Sequence, residues 1–404
     1  MGIRRHSGSP SAMHALIVNE QGVAVRAEGD VLTVRRGAQR LRQARIKEID
    51  QVILLGRVDI TSGAMNLLLR HHVDLVLLTQ QGEFRGRLAG RMSRNVTLRV
   101  AQYRYATDPA LSARIAAPIV EAKIRHQRQL LVRAQRQLSD DALAVAVGNL
   151  RLVAERAKRT SGIDELRGVE GHAAAIYFSQ FPKLIRNDGF SFRGRNRRPP
   201  RDPINALLSF GYAVLGSLIE SDIYRCGLDP MLGFLHQPAY GRPSLMLDLL
   251  EEFRPLIDGL VLRVVNRRQI GPRDFNTVSG ASLAALLQDD STPELESPVD
   301  VARPEPSGSL DNSMDDRSTD PRTSPSAADG GVKPDECSPK YAVLLSDIGR
   351  RIFLNEFFRR MRETLFYPPR AANFELRDII REQVYHVGRV VEGTDDEYSP
   401  FVPA

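Results

Sequence analysis

Asp108-Pro109-Ala110-Leu111-Ser112-Ala113-Arg114-Ile115 divides the chain into two kinds of pattern. Asp followed by Pro is a helix start. The carboxylate can accept from first-turn N–H groups, and Pro gives up an N–H that has no helical partner anyway. Downstream, Ile115, Ile119, Ile124, Leu130 and Leu131 recur at helical spacing among Arg and Gln, to about Gln137. Upstream, short apolar runs at 14–18, 22–26, 31–35, 52–55, 73–78 and 83–88 are punctuated by Gly and Asp, which reads as strands in a small sheet or sandwich. One helix is predicted among them, from Ile60 to Arg70, with Thr61 or Ser62 near its start.

Beyond the first long helix, the spacing predicts helices near 141–158, 169–180, 202–224 and 244–262, the last interrupted at Pro255. Asp202-Pro203 repeats the start signal and Ser244 can cap its helix. Two more helices are predicted at 348–364 and 374–391. The fold class is therefore α+β with two domains, a small N-terminal β-rich, sandwich-like one and a larger all-α one. The divisions fall at 1–12 (flexible), 13–92 (β-rich), 93–107 (linker), 108–288 (helical), 289–339 (insertion), 340–392 (closing helices) and 393–404 (flexible tail).

The insertion holds thirteen acidic and four basic residues and eight Pro, and no aromatic lies between Phe275 and Tyr341. Such a composition cannot offset chain entropy by burial, so disorder is expected there. It carries −9 of a chain total of +7, which leaves +16 on the rest. A body that basic points to a polyanionic partner, nucleic acid first, with a solvated basic surface as the plainer reading. Two cysteines, Cys226 and Cys337, suggest no disulfide framework, and Arg4 and Arg5 precede no apolar run. No stretch reads as a membrane span of roughly 18 apolar residues. A cytoplasmic protein with no membrane association is expected.

Three fragments carry the chemistry: Gly168-Val169-Glu170-Gly171, Gly233-Phe234-Leu235-His236, and Asp248-Leu249-Leu250-Glu251-Glu252-Phe253-Arg254-Pro255. Asp248 and Glu251 are three apart on a predicted helix and share a face. His236 lies on the loop before that helix, and Glu170 comes from another helix between small flanks that let a backbone approach. Carboxylates with one imidazole suit Mg²⁺ or Mn²⁺, and the imidazole leans toward Mn²⁺. Singly, each has a plain reading: a solvated carboxylate, a structural histidine, a polar helix face. Glu252 reads as exposed, and Cys226 as a core residue. The loop 183–201 offers Arg186, Arg193, Arg195, Arg197 and Arg198, with Asn205 just beyond it, as candidate contacts to DNA phosphates.

In this order the fragments resemble the Cas-one family, the CRISPR-associated spacer-acquisition integrases. Arg198-Pro-Pro-Arg-Asp202-Pro-Ile-Asn205, Gly349-Arg-Arg-Ile-Phe-Leu354 and Arg377-Asp-Ile-Ile-Arg-Glu-Gln383 add to the likeness. The resemblance implies a Mg²⁺- or Mn²⁺-dependent DNA endonuclease and integrase whose β-rich domain dimerises. It implies metal ligands at Glu170, His236 and Glu251, with Asp248 as the neighbouring acid of the active site. The implied partners are double-stranded DNA (prespacer and CRISPR repeat) and the small Cas-two protein. They would join a homodimer in a higher assembly. The acidic insertion departs from the family, which has a short connection there. The alternatives are a non-catalytic DNA-binding scaffold and a related transposon integrase, although no room for an added helix-turn-helix domain is evident.

Overall fold

The computed structural model describes residues 14–80, 82, 84–88, 90, 95–196, 199–279 and 341–403. The insertion expected at 289–339, the flexible start at 1–12, and Arg197, Arg198 and Cys337 lie outside the described residues.

The N-terminal part runs β1 (His14–Val18), β2 (Val23–Glu28), β3 (Val31–Arg36), β4 (Gln39–Arg45), β5 (Ile49–Leu55), β6 (Val58–Ile60), α1 (Ser62–Arg70), β7 (Asp74–Leu78) and β8 (Phe84–Leu88). One sheet has the order β4-β3-β2-β6 and the other β1-β5-β7-β8. Hairpins join β2-β3 and β7-β8, as the spacing predicts, and β3-β4, whose second strand the sequence reading leaves out. The pairs β1/β5, β5/β7 and β2/β6 are parallel instead, so those strands are joined by crossovers. Crossover pairing is non-local and leaves no mark on short-range spacing.

The second sheet is buried on both faces, and side chains alternate along its strands. Val52, Leu54 and Leu75 share a core with Val23, Val25, Leu32 and Val34 of the first sheet and with Leu67 and Leu68 of α1. Ile53, Leu55, Val76 and Leu78 point the other way, into the core of the helical part. Asp74 on β7 ties the two parts electrostatically, accepting from Arg87 Nη2 at 3.1 Å and from Arg225 Nη2 at 2.6 Å.

The second part begins with α2 (Val96–Thr107), a helix in the stretch read as a linker, followed by α3 (Pro109–Gln135), α4 (Asp141–Arg159) and α5 (Ile163–Gln180). The start signals hold: Asp108 accepts from the N–H groups of Ala110 and Leu111, at 2.8 and 3.2 Å. Asp202 likewise caps α6 (Pro203–Cys226), accepting from Asn205 N at 2.8 Å. Helix α7 (Ser244–Asn266) starts without a side-chain cap: its cap position is Pro243, which has no side-chain acceptor to offer, and Ser244, one residue inside, donates its hydroxyl to Gln237 O. Gly211 and Gly216 let α6 press against α7: a Cβ on Gly211 would stand 2.5 Å from Ile257 Cγ2. By length and composition α6 could cross a membrane, contrary to the sequence reading, but 89% of its apolar window is buried inside the protein. It is a core helix.

The chain then forms β9 (Phe275–Ser279), β10 (Tyr341–Leu345), α8 (Asp347–Met361), β11 (Thr364–Tyr367), β12 (Ala372–Glu375) and α9 (Leu376–Val391). The second part is thus mostly helical rather than all-α, with β9/β10 and β11/β12 as antiparallel pairs. Ser279 pairs with Tyr341, so the two ends of the acidic segment are neighbours on a ladder. The last residues are not loose either: Tyr398 and Phe401 are buried in the helical core.

Candidate active site

Four elements converge near the middle of α3 and the first half of α7. Lys123 on α3 is buried and donates to Glu170 on α5 and to Glu251 on α7, the latter at 2.5 Å to Oε2. Glu251 Oε1 accepts from Arg254 Nε at 2.9 Å, so both its oxygens face cations. Burial works to raise the Glu251 pKa, but Arg254 and Lys123 outweigh it, His236 adds to the pull, and the carboxyl is held below its usual range. Burial likewise presses the Lys123 pKa down, and Glu251 with Glu170 overcomes this, so the net shift is upward. Both shifts favour the charged forms of Lys123 and Glu251.

His236 enters from the loop before α7. Asp248 is fully buried, and its Oδ2 accepts from the N–H groups of Phe234 and Leu235, at 2.5 and 2.9 Å. Its Oδ1 accepts from His236 N at 2.9 Å and lies 2.7 Å from His236 Nδ1. Gly233 is required for this wrap, since a Cβ there would sit 2.8 Å from the Ser244 carbonyl carbon. Arg167, one turn before Glu170 on α5, donates from Nε to Leu235 O at 2.8 Å and ties the helix of Glu170 to the loop of His236. The contacts close a ring: Glu170 to Lys123 to Glu251, along α7 to Asp248, on to His236, and back through Arg167.

Lys123, Glu251 and Asp248 form the buried floor, while the side chains of Glu170 and His236 keep 24% and 31% of their exposure. Glu170 lies mid-helix, because α5 starts at Ile163 rather than near Val169. Space is open around Gly168 and Gly171 on either side of it. The structure therefore brings Glu170, His236, Asp248 and Glu251 together. Asp248 has no free oxygen, so it can act on the site only through His236. Among the described residues no three His, Cys, Asp or Glu side chains stand close enough to hold a metal ion as they are. The Lys123 ammonium occupies the space between the two glutamates.

Other readings are corrected. Glu252 is fully buried, not exposed. It accepts from Gln383 Nε2 at 2.9 Å, from Tyr398 OH at 2.7 Å and from Phe401 N at 2.7 Å, and so fastens the end of the chain to α7. Asn205 is buried too and holds the basic loop together, accepting from Arg195 Nη1 and donating to Gly194 O, at 2.8 and 2.9 Å. It is not placed to touch DNA. Arg195 lies over the Tyr212 ring, with its Cζ 5.5 Å from the ring centre. Arg186 and Arg193 are exposed. Cys226 behaves as a core residue, with burial pushing its thiol up to about 12. Sequence reasoning missed Lys123, Arg167 and Arg254. The available signal for Lys123 was a lysine four residues after Ile119, on the apolar stripe of α3.

Residues 16–295 match the family described as CRISPR associated protein Cas1. A CRISPR-associated endonuclease Cas1 of Rhodospirillum rubrum is 38% identical over 290 residues, 69% of this chain and 83% of that one. A casposase bound to integration product shares the fold, with TM-score 0.70 and 21% identity over 97% of this chain and 95% of that chain. A Cas6-RT-Cas1–Cas2 complex does so with TM-score 0.69 and 19% identity, over 97% of this chain and 36% of that chain. The chain belongs to the Cas1 family of CRISPR-associated proteins.

Proposed function

We propose that the chain is a metal-dependent DNA endonuclease and integrase. It would insert short DNA fragments, spacers, into a CRISPR repeat array by attack of a DNA 3′-hydroxyl on a phosphodiester. One observation carries the reading: Glu170 and Glu251, from separate helices, meet at a single positive charge beside an imidazole fixed by Asp248. The relative named as a Cas1 endonuclease and the fold likeness to a casposase bound to integration product support it.

The residues suit a divalent cation. Two carboxylates already surround an ammonium, so the place is built for positive charge. With Nδ1–H donated to Asp248, His236 keeps Nε2 as a ligand nitrogen. Glu170, His236 and Glu251 would hold Mg²⁺ or Mn²⁺. Bound there, such an ion supplies a Lewis acid for the scissile phosphate and the leaving oxygen. The chain's own part is positioning and charge. Arg254 and Lys123 offset the charge of the buried Glu251, and Lys123 that of Glu170 as well. Asp248 holds the imidazole in one orientation and one tautomer. The attacking 3′-oxygen forms one P–O bond as another breaks, so no covalent protein intermediate is required.

The Cas2-containing complex of the same fold supports a Cas2 partner. Double-stranded DNA is the proposed substrate, a homodimer through the β-rich part the proposed unit, and the cytoplasm the proposed location. A transposon integrase is the second reading, because the fold likeness spans 95% of a casposase chain and no added domain is needed. The 38% identity to a Cas1 endonuclease, against 21% to the casposase, favours the first. The test is joining of a 3′-hydroxyl fragment to a repeat-containing plasmid with Mn²⁺, with EDTA, and with Glu170→Ala. Joining should need the metal and vanish in the variant. Full-rate joining by Glu170→Ala would overturn the reading, and joining without regard to the repeat would favour the transposon alternative.

A further inference from the structure

Between the C-terminal halves of α3 and α7 lies a second cavity of about 480 Å³. Six cations line it, Arg133, Lys183, Arg186, Arg263, Arg267 and Arg360, and no Asp or Glu does. Compensation comes only from outside the lining. Lys183 pairs with Asp140 at 2.7 Å, and Arg263 with Glu363 at 2.9 Å. Glu363 also serves Arg360 and Arg359. Arg186 meets only the neutral Gln137, and Arg133 and Arg267 have no acidic partner among the described residues. Some surface arginines elsewhere have an acid each, as in Arg35–Glu28 and Arg156–Glu165. Here burial, then Arg263, Arg133 and Arg359, push the Arg360 guanidinium down to about 10, so these cations are near enough to repel. The floor includes Leu130, Leu256 and Leu260.

A size of a few hundred Å³, an apolar floor and a cationic rim suit a sugar and base with phosphate beside them. Both helices of the carboxylate cluster continue into the cavity. At 1.5 Å per residue, Lys123 to Arg133 is about 15 Å along α3 and Glu251 to Arg263 about 18 Å along α7. That is on the order of five nucleotides or fewer at the per-strand spacing of DNA. We infer that this cavity is a phosphate-binding site, separate from the carboxylate cluster, that takes the backbone of a DNA strand. The inference rests on the proposed function for the source of the phosphate alone, since a free oligophosphate shares the chemistry.

The test uses the full chain and the double substitution Arg133→Ser with Arg267→Ser, two exposed side chains with no acidic partner. One arm measures the melting shift produced by tripolyphosphate. The other measures anisotropy of a fluorescent 15-nucleotide single strand against salt. The wild type should respond in both. The double variant should lose the tripolyphosphate shift, bind the strand roughly tenfold more weakly, and show a log–log salt slope smaller by about 1.4, two single-strand phosphate contacts. A response confined to tripolyphosphate upholds the site with a free phosphate as its source. A response confined to the strand upholds it for DNA. The inference is overturned if the wild type binds neither probe, or if the double variant matches it in both arms. Loss or retention of joining by Glu170→Ala bears on the proposed function alone.

Discussion

The Lys123 ammonium stands 2.5 Å from Glu251 Oε2 and donates as well to Glu170, so one lysine fills the gap between two candidate metal ligands. It acts as the resident cation of the cluster. A divalent ion entering there meets a competitor of like charge.

Lys123→Met should therefore move two quantities in opposite directions. Without metal, two carboxylates lose their shared counter-charge, and breaking a buried pair costs about 3 kcal/mol. The apo melting temperature should fall. With Mn²⁺, the lost charge is replaced and the competitor is gone, so Mn²⁺ should bind more tightly and restore more stability than in the wild type. Calorimetric Mn²⁺ titration and melts with and without Mn²⁺ check both. Unchanged or weaker Mn²⁺ binding would show that Lys123 does not compete for the site.

Asp248→Asn tests the positioning of His236. Asp248 accepts from three backbone N–H groups and from the imidazole. Asn offers a single acceptor oxygen, and its amide would face at least one donor with another donor. His236 then loses its fixed tautomer. Loss of such an outer partner typically lowers metal affinity or activity by about 10–100-fold. Mn²⁺ affinity should fall by that order, while Glu170 and Glu251 still retain weak binding. An affinity equal to the wild type would remove Asp248 from any supporting role.

How far the site was legible follows from distance along the chain. Helix starts at Asp108 and Asp202 were readable because the cap and its donors lie within three residues. His236 and Asp248 are twelve apart, still close enough for a loop to fold back on its helix. Lys123 meets Glu251 across 128 positions, and no periodicity in either segment signals the pairing. The misreading of Glu252 has a different cause. Adjacent helical residues point about 100° apart, so one acid of a pair normally reaches water. Here the end of the chain covers the second face of α7, and Tyr398 and Phe401 sit in a segment too short to show a pattern.

Glu252 also predicts a pH dependence. Burial raises its pKa from 4.5 to about 7, against the pull of Tyr398, Phe401 and Gln383. Between those pH values the folded chain holds a proton that the unfolded chain has released. Stability from this group is therefore full below pH 4.5 and is lost as pH rises through about 7. Glu220, raised by burial to about 7, acts in the same direction. Glu252→Gln keeps the shape and the Gln383 and Phe401 bonds on one oxygen, and Tyr398 can turn to accept. The variant should lose less stability than the wild type between pH 5 and 8, by an order of 1–3 kcal/mol. Urea unfolding at several pH values measures this, and parallel pH profiles for the two proteins would refute it.

The acidic segment should be removable without harm to the fold. Its flanks are already paired, Ser279 with Tyr341 and Val278 with Ala342. Just beyond the pair, Ser346 N donates to Asp274 O at 2.8 Å, and a Cβ on Gly349 would stand 2.6 Å from the same oxygen. The ladder is thus anchored to α8 by contacts that lie outside residues 280–340. Replacing those residues with a four-residue turn shortens the closed loop by about four doublings, each worth roughly 0.6 kcal/mol. The variant should melt at the same temperature or a few degrees higher, with unchanged helical circular dichroism. If it melts lower or aggregates, the segment contributes contacts to the fold. If folding is intact but joining or DNA binding changes, its charge of −8 acts on the basic surface rather than on stability.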